Sequence, residues 1–314
     1  MLETFKATLT PMLVLFLCIV IGFILKKKSI APDNTASVLS KIENFVLVPA
    51  LTINTFMNYC TVQSIRAEYK LVLYCLLVLA IAICIAVPLS KVFVKNDAYK
   101  RNIYIYALTF GNFGFMGNAI VLQIFGGEML YKYMLFTLPL NVAVYTWGVV
   151  ILIPKSAGKQ SVFKNLLNPP FFSIVIGAIL GLTGATAYIP EFLSTTITNL
   201  SSCMAPLAML LTGFVIGSYD AKELLRDKKV YISTVLRLFI LPTAFLLLAK
   251  LLGADEIVLT CMLIAFATPL GMNTVVFPSA YGGDAKTGAS MAMISHTLCV
   301  ISIPLMYALL SLIL

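Results

Sequence analysis

Two apolar stretches hold the residues with chemical potential. The first reads Thr109-Phe110-Gly111-Asn112-Phe113-Gly114-Phe115-Met116-Gly117-Asn118-Ala119. It sets three glycines at a spacing of three beside two asparagines. The second reads Ala267-Thr268-Pro269-Leu270-Gly271-Met272-Asn273-Thr274 and combines a proline with an amide and two hydroxyls. Each glycine weakens a helix interior by roughly 1 kcal/mol relative to alanine. Proline removes a backbone donor and clashes with the preceding turn. Neither stretch contains an acid or a base. Amides, hydroxyls and exposed helix N-termini are donors, and they suit an anion such as a small carboxylate. Asn112 and Asn273 are the first candidates to contact it. Asn118, Thr268 and Thr274 come second, while Gly111, Gly114 and Pro269 open the backbone around them. A competing reading makes the glycines close-packing surfaces and the asparagines interhelical glue.

No catalytic residue is assigned, and no metal site. His296 is the only histidine, and the chain lacks His-Glu-x-x-His, Gly-x-Ser-x-Gly and an intramembrane pair of aspartates. The seven cysteines form no Cys-x-x-Cys pair and lie mostly in apolar runs, as small buried residues do.

The elements that must carry these residues are membrane helices. Of 314 residues, 60% are hydrophobic and 11% charged, against about 25% charged in soluble domains. This excludes an ordinary soluble enzyme and a disordered chain. A helix needs about 20 apolar residues to cross a bilayer. Ten runs approach this, at 8–25, 37–57, 69–90, 102–124, 130–153, 168–186, 193–217, 230–251, 257–281 and 287–313. Their length and continuity favour an all-α integral membrane protein over a barrel. The net charge of +9 would suggest nucleic acid on a soluble protein. Here the basic residues sit in short connectors, so they report topology and no nucleic-acid partner. The odd-numbered connectors hold sixteen lysines and arginines, the even side five, and Arg237 lies inside the eighth run. The positive-inside rule then gives a multi-pass protein of the cell membrane with both termini extracellular. The first run lacks a basic leader and a clear cleavage site, and reads as a retained helix.

The chain also repeats itself. Ile19-Val-Ile-Gly-Phe-Ile-Leu25 matches Ile174-Val-Ile-Gly-Ala-Ile-Leu180 in six of seven residues at an offset of 155. Ile30-Ala31-Pro32 is echoed by Tyr188-Ile189-Pro190, Pro49 by Pro206, and Phe125-Gly-Gly-Glu128 by Tyr281-Gly-Gly-Asp284. Five helices are an odd number, so the second half enters from the opposite side. The expected organisation is a first repeat at 1–153, a cytoplasmic linker at 154–167 and an inverted second repeat at 168–314. Inverted repeats with broken helices at mid-membrane are the architecture of many secondary transporters.

Three ionisable residues lie within or beside the runs, each with two readings. His296 is a proton relay or substrate contact, or else a neutral hydrogen-bonded packing residue. Glu43 is a coupling carboxylate or an interfacial acid paired locally near Lys41. Arg237 snorkels to the membrane surface or steers an anion inward.

The chain resembles the auxin efflux carrier family, within the larger group that includes bile acid:sodium symporter-like proteins. The resemblance rests on Phe110-Gly-Asn-Phe-Gly-Phe-Met-Gly117, Asn141-Val-Ala-Val-Tyr-Thr-Trp-Gly148, Asn168-Pro-Pro170 with Ile176-Gly177, Ala205-Pro-Leu-Ala-Met209 and Thr268-Pro269. It implies ten helices in two inverted five-helix repeats, with broken helices four and nine crossing. It also implies organic-anion substrates, either auxin-like weak acids or dicarboxylates such as malate and malonate. The family's crossover asparagine maps onto Asn112, and Asn141 joins the substrate-contacting set. The family often has Gly-x-Pro where this chain has Gly117-Asn118-Ala119, and the compact chain looks bacterial. The partners implied are a small organic anion and the lipid bilayer, with a homodimer as a possible assembly. No cofactor is implied, and coupling to Na+ or H+ is left unassigned. An anion channel and a membrane-embedded ligand sensor stand as alternatives.

Overall fold

The computed structural model describes residues 2–154, 156 and 167–314. Most of the expected linker, with Lys155, Lys159 and Lys164, lies outside the described residues. The fold is all-helical, with no strand among the described residues beyond one isolated bridge. The long elements are α1 (Leu2–Lys27), α2 (Thr35–Tyr59), α3 (Val62–Phe93), α4 (Ala98–Thr109), α5 (Phe113–Leu152), α6 (Pro169–Thr183), α7 (Glu191–Gly217), α8 (Lys228–Leu251), α9 (Glu256–Ala267), α10 (Asn273–Ala280) and α11 (Ala285–Ile313). Seven of them, α1, α2, α3, α5, α7, α8 and α11, are long and apolar enough to cross a membrane. The helix α5 bends at Gly126, whose φ of 80° only glycine adopts freely.

Short polar signals start the helices. Thr61 and Ser64 form a reciprocal capping box on α3. Asn168 accepts from the Phe171 N–H, and the prolines that follow it fit the first turn of α6. Asp97, Asp227, Asp255 and Asp284 cap α4, α8, α9 and α11 with their side chains. These carboxylates therefore satisfy orphan backbone donors at helix ends.

Packing follows membrane rules. Met12, Leu15 and Ile19 of α1 are buried, while Leu13, Val14, Leu17 and Ile21 on its other faces are exposed. The outward set is as apolar as the inward one, as expected of a helix with one side in lipid. Lipid gives no hydrophobic reward for helix contact, so close approach through small residues does the joining. Gly22 of α1 lies against the Leu210 backbone of α7, and Gly213 of α7 against Ile19 and Phe23 of α1. Gly177 of α6 meets Ile53 and Phe56 of α2, and Gly181 meets Cys60. A methyl group at any of these positions would overlap its neighbour.

Candidate functional site

The helical backbone is interrupted twice where the sequence is richest in glycine, proline and amide. α4 ends at Thr109 and α5 begins at Phe113; α9 ends at Ala267 and α10 begins at Asn273. The two interruptions pair with each other. Gly111 and Leu270 form the isolated antiparallel bridge, and the Asn112 N–H donates to the Pro269 carbonyl at 2.7 Å. Of the three glycines in the first stretch, only Gly111 lies in the break. Gly114 and Gly117 fall inside the wide π turn that opens α5, Phe113–Gly117. Gly117 matches the packing reading: any side chain there would strike the Tyr133 hydroxyl, which donates to the Phe113 carbonyl at 3.0 Å.

A broken helix leaves carbonyls without partners at one end and N–H groups at the other. Arg237 meets the carbonyls. Its guanidinium donates from Nη1 to Leu108 (3.2 Å) and Thr109 (3.3 Å), and from Nη2 to Ala265 (3.3 Å). It also lies 5.5 Å from the Phe266 ring centroid. The side chain is fully buried. This corrects the snorkelling reading of Arg237, and the side chain does not line the cavity onto which the breaks open. It places a positive charge where two helix dipoles point their negative ends.

Two consecutive residues of α11 hold the interruptions from the other side. Ser295 Oγ accepts from the Leu270 N–H at 3.0 Å. His296 Nε2 lies 3.1 Å from Asn112 Nδ2, and its Nδ1 2.8 Å from the Ala292 carbonyl. His296 is buried and hydrogen-bonded, in contact with the leading candidate Asn112.

The N-terminal ends of α5 and α10 open onto a cavity of about 500 Å³. It is lined around the breaks by Gly111, Asn112, Gly114, Asn118, Asn141 and Asn273, so six of the candidate residues converge. Thr268, Pro269 and Thr274 do not line it. The Thr268 hydroxyl donates to the Ala265 carbonyl and that of Thr274 to Gly271, so both stabilise backbone. Pro269 contributes its carbonyl to the pairing of the breaks. The wall is largely apolar, and Lys41 is the one charged side chain among its described residues. Several lining residues are absent from the sequence-based set: Thr52, Tyr106, Thr137 and Thr212. Tyr106 is the most consequential of them, because Asn273 Nδ2 donates to its hydroxyl at 2.7 Å and is held in place. Only its place in the run just before Gly111 marked it.

Glu43 stands apart. Ser40, Lys41, Asn44 and Phe45 line the cavity, but Glu43 does not. It is fully buried, and among the described residues neither carboxylate oxygen has a hydrogen-bond partner. The expected local pairing near Lys41 is therefore corrected: the Lys41 side chain is exposed and forms no ion pair with it among the described residues.

Among the described residues the chain is all-helical, with exposed apolar helix faces, two joined helix breaks and a polar-floored cavity, an arrangement that fits a multi-pass membrane transporter. Residues 7–162 and 155–307 match the family described as membrane transport protein. The chain belongs to that family, the auxin efflux carrier-like transporters. It is 24% identical over 299 residues to the uncharacterized transporter MJ1031 of Methanocaldococcus jannaschii, covering 93% of this chain and 96% of the relative. An uncharacterized transporter of Methanothermobacter thermautotrophicus is 21% identical over 303 residues, covering 96% and 98%. The uncharacterized transporter YfdV of Escherichia coli K12 is 22% identical over 315 residues, covering 97% of each chain.

Proposed function

We propose that this protein is a secondary transporter of small organic anions, carboxylates of the auxin-like weak acid or dicarboxylate type. It works by alternating access at the crossing of two broken helices. The observation that carries the reading is electrostatic. The C-terminal ends of α4 and α9 meet at the buried Arg237, so their negative ends are neutralised. The N-terminal ends of α5 and α10 face the cavity, among asparagine side chains and with no lining carboxylate among the described residues. Positive helix ends and amide donors with no fixed counter-charge favour an incoming anion. Asn112, Asn118, Asn141 and Asn273 are the proposed polar contacts, with Gly111 and Gly114 leaving the backbone accessible.

Alternating access rests on ten passes in two inverted repeats, 1–153 and 168–314. The fourth pass is α4 with α5 up to Gly126, the fifth the rest of α5, and the ninth α9 with α10. Equivalent positions behave alike in support. Gly22 seats α1 on α7 as Gly177 seats α6 on α2, at the offset of 155 found in the sequence. Gly126 and Gly282 end the two broken passes with positive φ of 80° and 72°. The cavity extends to Ser40, Lys41 and Asn168, on the side of the basic connectors. With those connectors cytoplasmic and both termini extracellular, this is the inward-open form.

The test is uptake of labelled acetate, malonate, malate and indole-3-acetate into liposomes holding the purified protein. Saturable uptake with counterflow of at least one of them is expected. Flux that never saturates would instead point to a pore, and binding without flux to a sensor.

A further inference from the structure

Both ring nitrogens of His296 are engaged. Nδ1 lies 2.8 Å from the Ala292 carbonyl, one turn back on α11. A carbonyl only accepts, so Nδ1 carries a proton whatever the charge of the ring. A neutral ring then has only a lone pair at Nε2, 3.1 Å from the Asn112 amide nitrogen. Asn112 must give that lone pair an N–H, which leaves its amide oxygen as the group turned away from His296. Asn112 lines the cavity, and an oxygen facing a carboxylate is repulsive. A proton on Nε2 inverts the arrangement. Nε2–H then needs an acceptor, the amide turns over so that Oδ1 takes it, and the NH2 group is free to donate to an anion.

The surroundings decide when the ring can hold that proton. His296 is buried, and the helices packed on α11 are α1, α4, α7, α8, α9 and α10, with the short turn Ala221–Leu224. Near mid-depth these carry the Arg237 guanidinium, the hydroxyls of Tyr104 and Tyr106 and the thiols of Cys18, Cys203 and Cys261; Cys299 is on α11 itself and touches Met116 of α5, whose Tyr133 hydroxyl donates to the Phe113 carbonyl and whose Glu128 is paired with Lys132. Their carboxylates, Glu3, Glu191, Glu223 and Glu256, all stand in first turns. The lysines and the other arginine, from Lys6 to Lys286, stand within two turns of a helix end. No carboxylate of these elements therefore stands at the depth of His296 to balance an imidazolium. A charged ring is tolerated only when a negative ligand arrives beside it.

Resting on the anion-carrier reading above, we propose that His296 is the proton-coupling residue of this transporter, binding one proton with each anion through the turnover of the Asn112 amide. The proton comes from water in the cavity and resides on Nε2; Nδ1 keeps its own. Linkage makes the effect reciprocal: the anion raises proton affinity by the factor by which the proton raises anion affinity.

As the only histidine, His296 gives a single imidazole signature in protein labelled with 15N-histidine and prepared without a histidine tag. Without ligand at neutral pH the expected spectrum is the Nδ1–H neutral tautomer. An imidazolium or an Nε2–H tautomer there overturns the proposal. Acetate, malonate, malate and indole-3-acetate are then added in turn. Any that raises the melting temperature is expected to convert the ring to the imidazolium, with affinity rising about tenfold per pH unit lowered, between pH 8 and 6.5. His296→Gln, whose amide both donates and accepts, is expected to fold and to bind with no such slope. Binding with the ring still neutral, or a slope that persists in His296→Gln, overturns the proposal and leaves the carrier reading standing. Failure of all four carboxylates to bind overturns both.

Discussion

The backbone N–H of Asn112 donates to the carbonyl of Pro269 at 2.7 Å. Two interruptions far apart in sequence are thereby joined through backbone alone, and the Asn112 side chain is left to work elsewhere. The main chain holds the crossing, and the amide faces the cavity with His296 behind it.

This division separates folding from binding at Asn112. Asn112→Ala keeps the backbone bond and removes the amide. A hydrogen bond to a charged group contributes about 1.5–3 kcal/mol, so carboxylate uptake should fall by about ten- to a hundredfold with a melting temperature close to wild type. Uptake unaffected by the change would remove Asn112 from the site.

Arg237 makes the opposite prediction. Arg237→Met leaves the carbonyls of Leu108 and Thr109 without the buried donor that serves both. A buried polar group without its partner is destabilising by about 1–3 kcal/mol. Thermal unfolding in detergent should show a clear loss, with Arg237→Lys intermediate because one ammonium cannot span both helix ends. Wild-type stability in Arg237→Met would show that the guanidinium is not needed to hold them.

The glycines separate into packing and open positions. A Cβ at Gly213 would overlap the Ile19 carbonyl oxygen, whereas one at Gly114 meets nothing within 4 Å. Gly213→Ala should be destabilising by about 1–3 kcal/mol through forced separation of α1 and α7. Gly114→Ala should be neutral or raise stability by up to about 1 kcal/mol. Melting curves of the two variants, side by side, give the comparison, and equal losses would contradict it.

Glu43 is buried, and among the described residues both its carboxylate oxygens are unpartnered. A polar group so placed is destabilising, and Glu43→Met fills similar volume without the penalty. A gain of about 1–3 kcal/mol is expected. A loss of stability would show that the carboxyl has a partner in the membrane-embedded protein.

Much of the architecture was legible from residue order alone. Apolar run length, sparse charge and scattered connector lysines determine a helical membrane protein, because a bilayer accepts almost nothing else from such a chain. The breaks were legible too, since Gly111 and Pro269 act on their own backbone. All three glycines weaken the helix on paper, but only Gly111 lies in the break, because π-turn geometry absorbs Gly114 and Gly117. What only the tertiary structure decided are the partners across the fold. Arg237 reaches α4 and α9, His296 reaches Asn112, Tyr106 holds Asn273, and Thr268 and Thr274 turn to backbone. Glu43 lost its supposed local pairing for the same reason. Local conformation is written in neighbouring residues, whereas the partner of a buried polar group is set by which helices converge at its depth, and sequence spacing does not encode that.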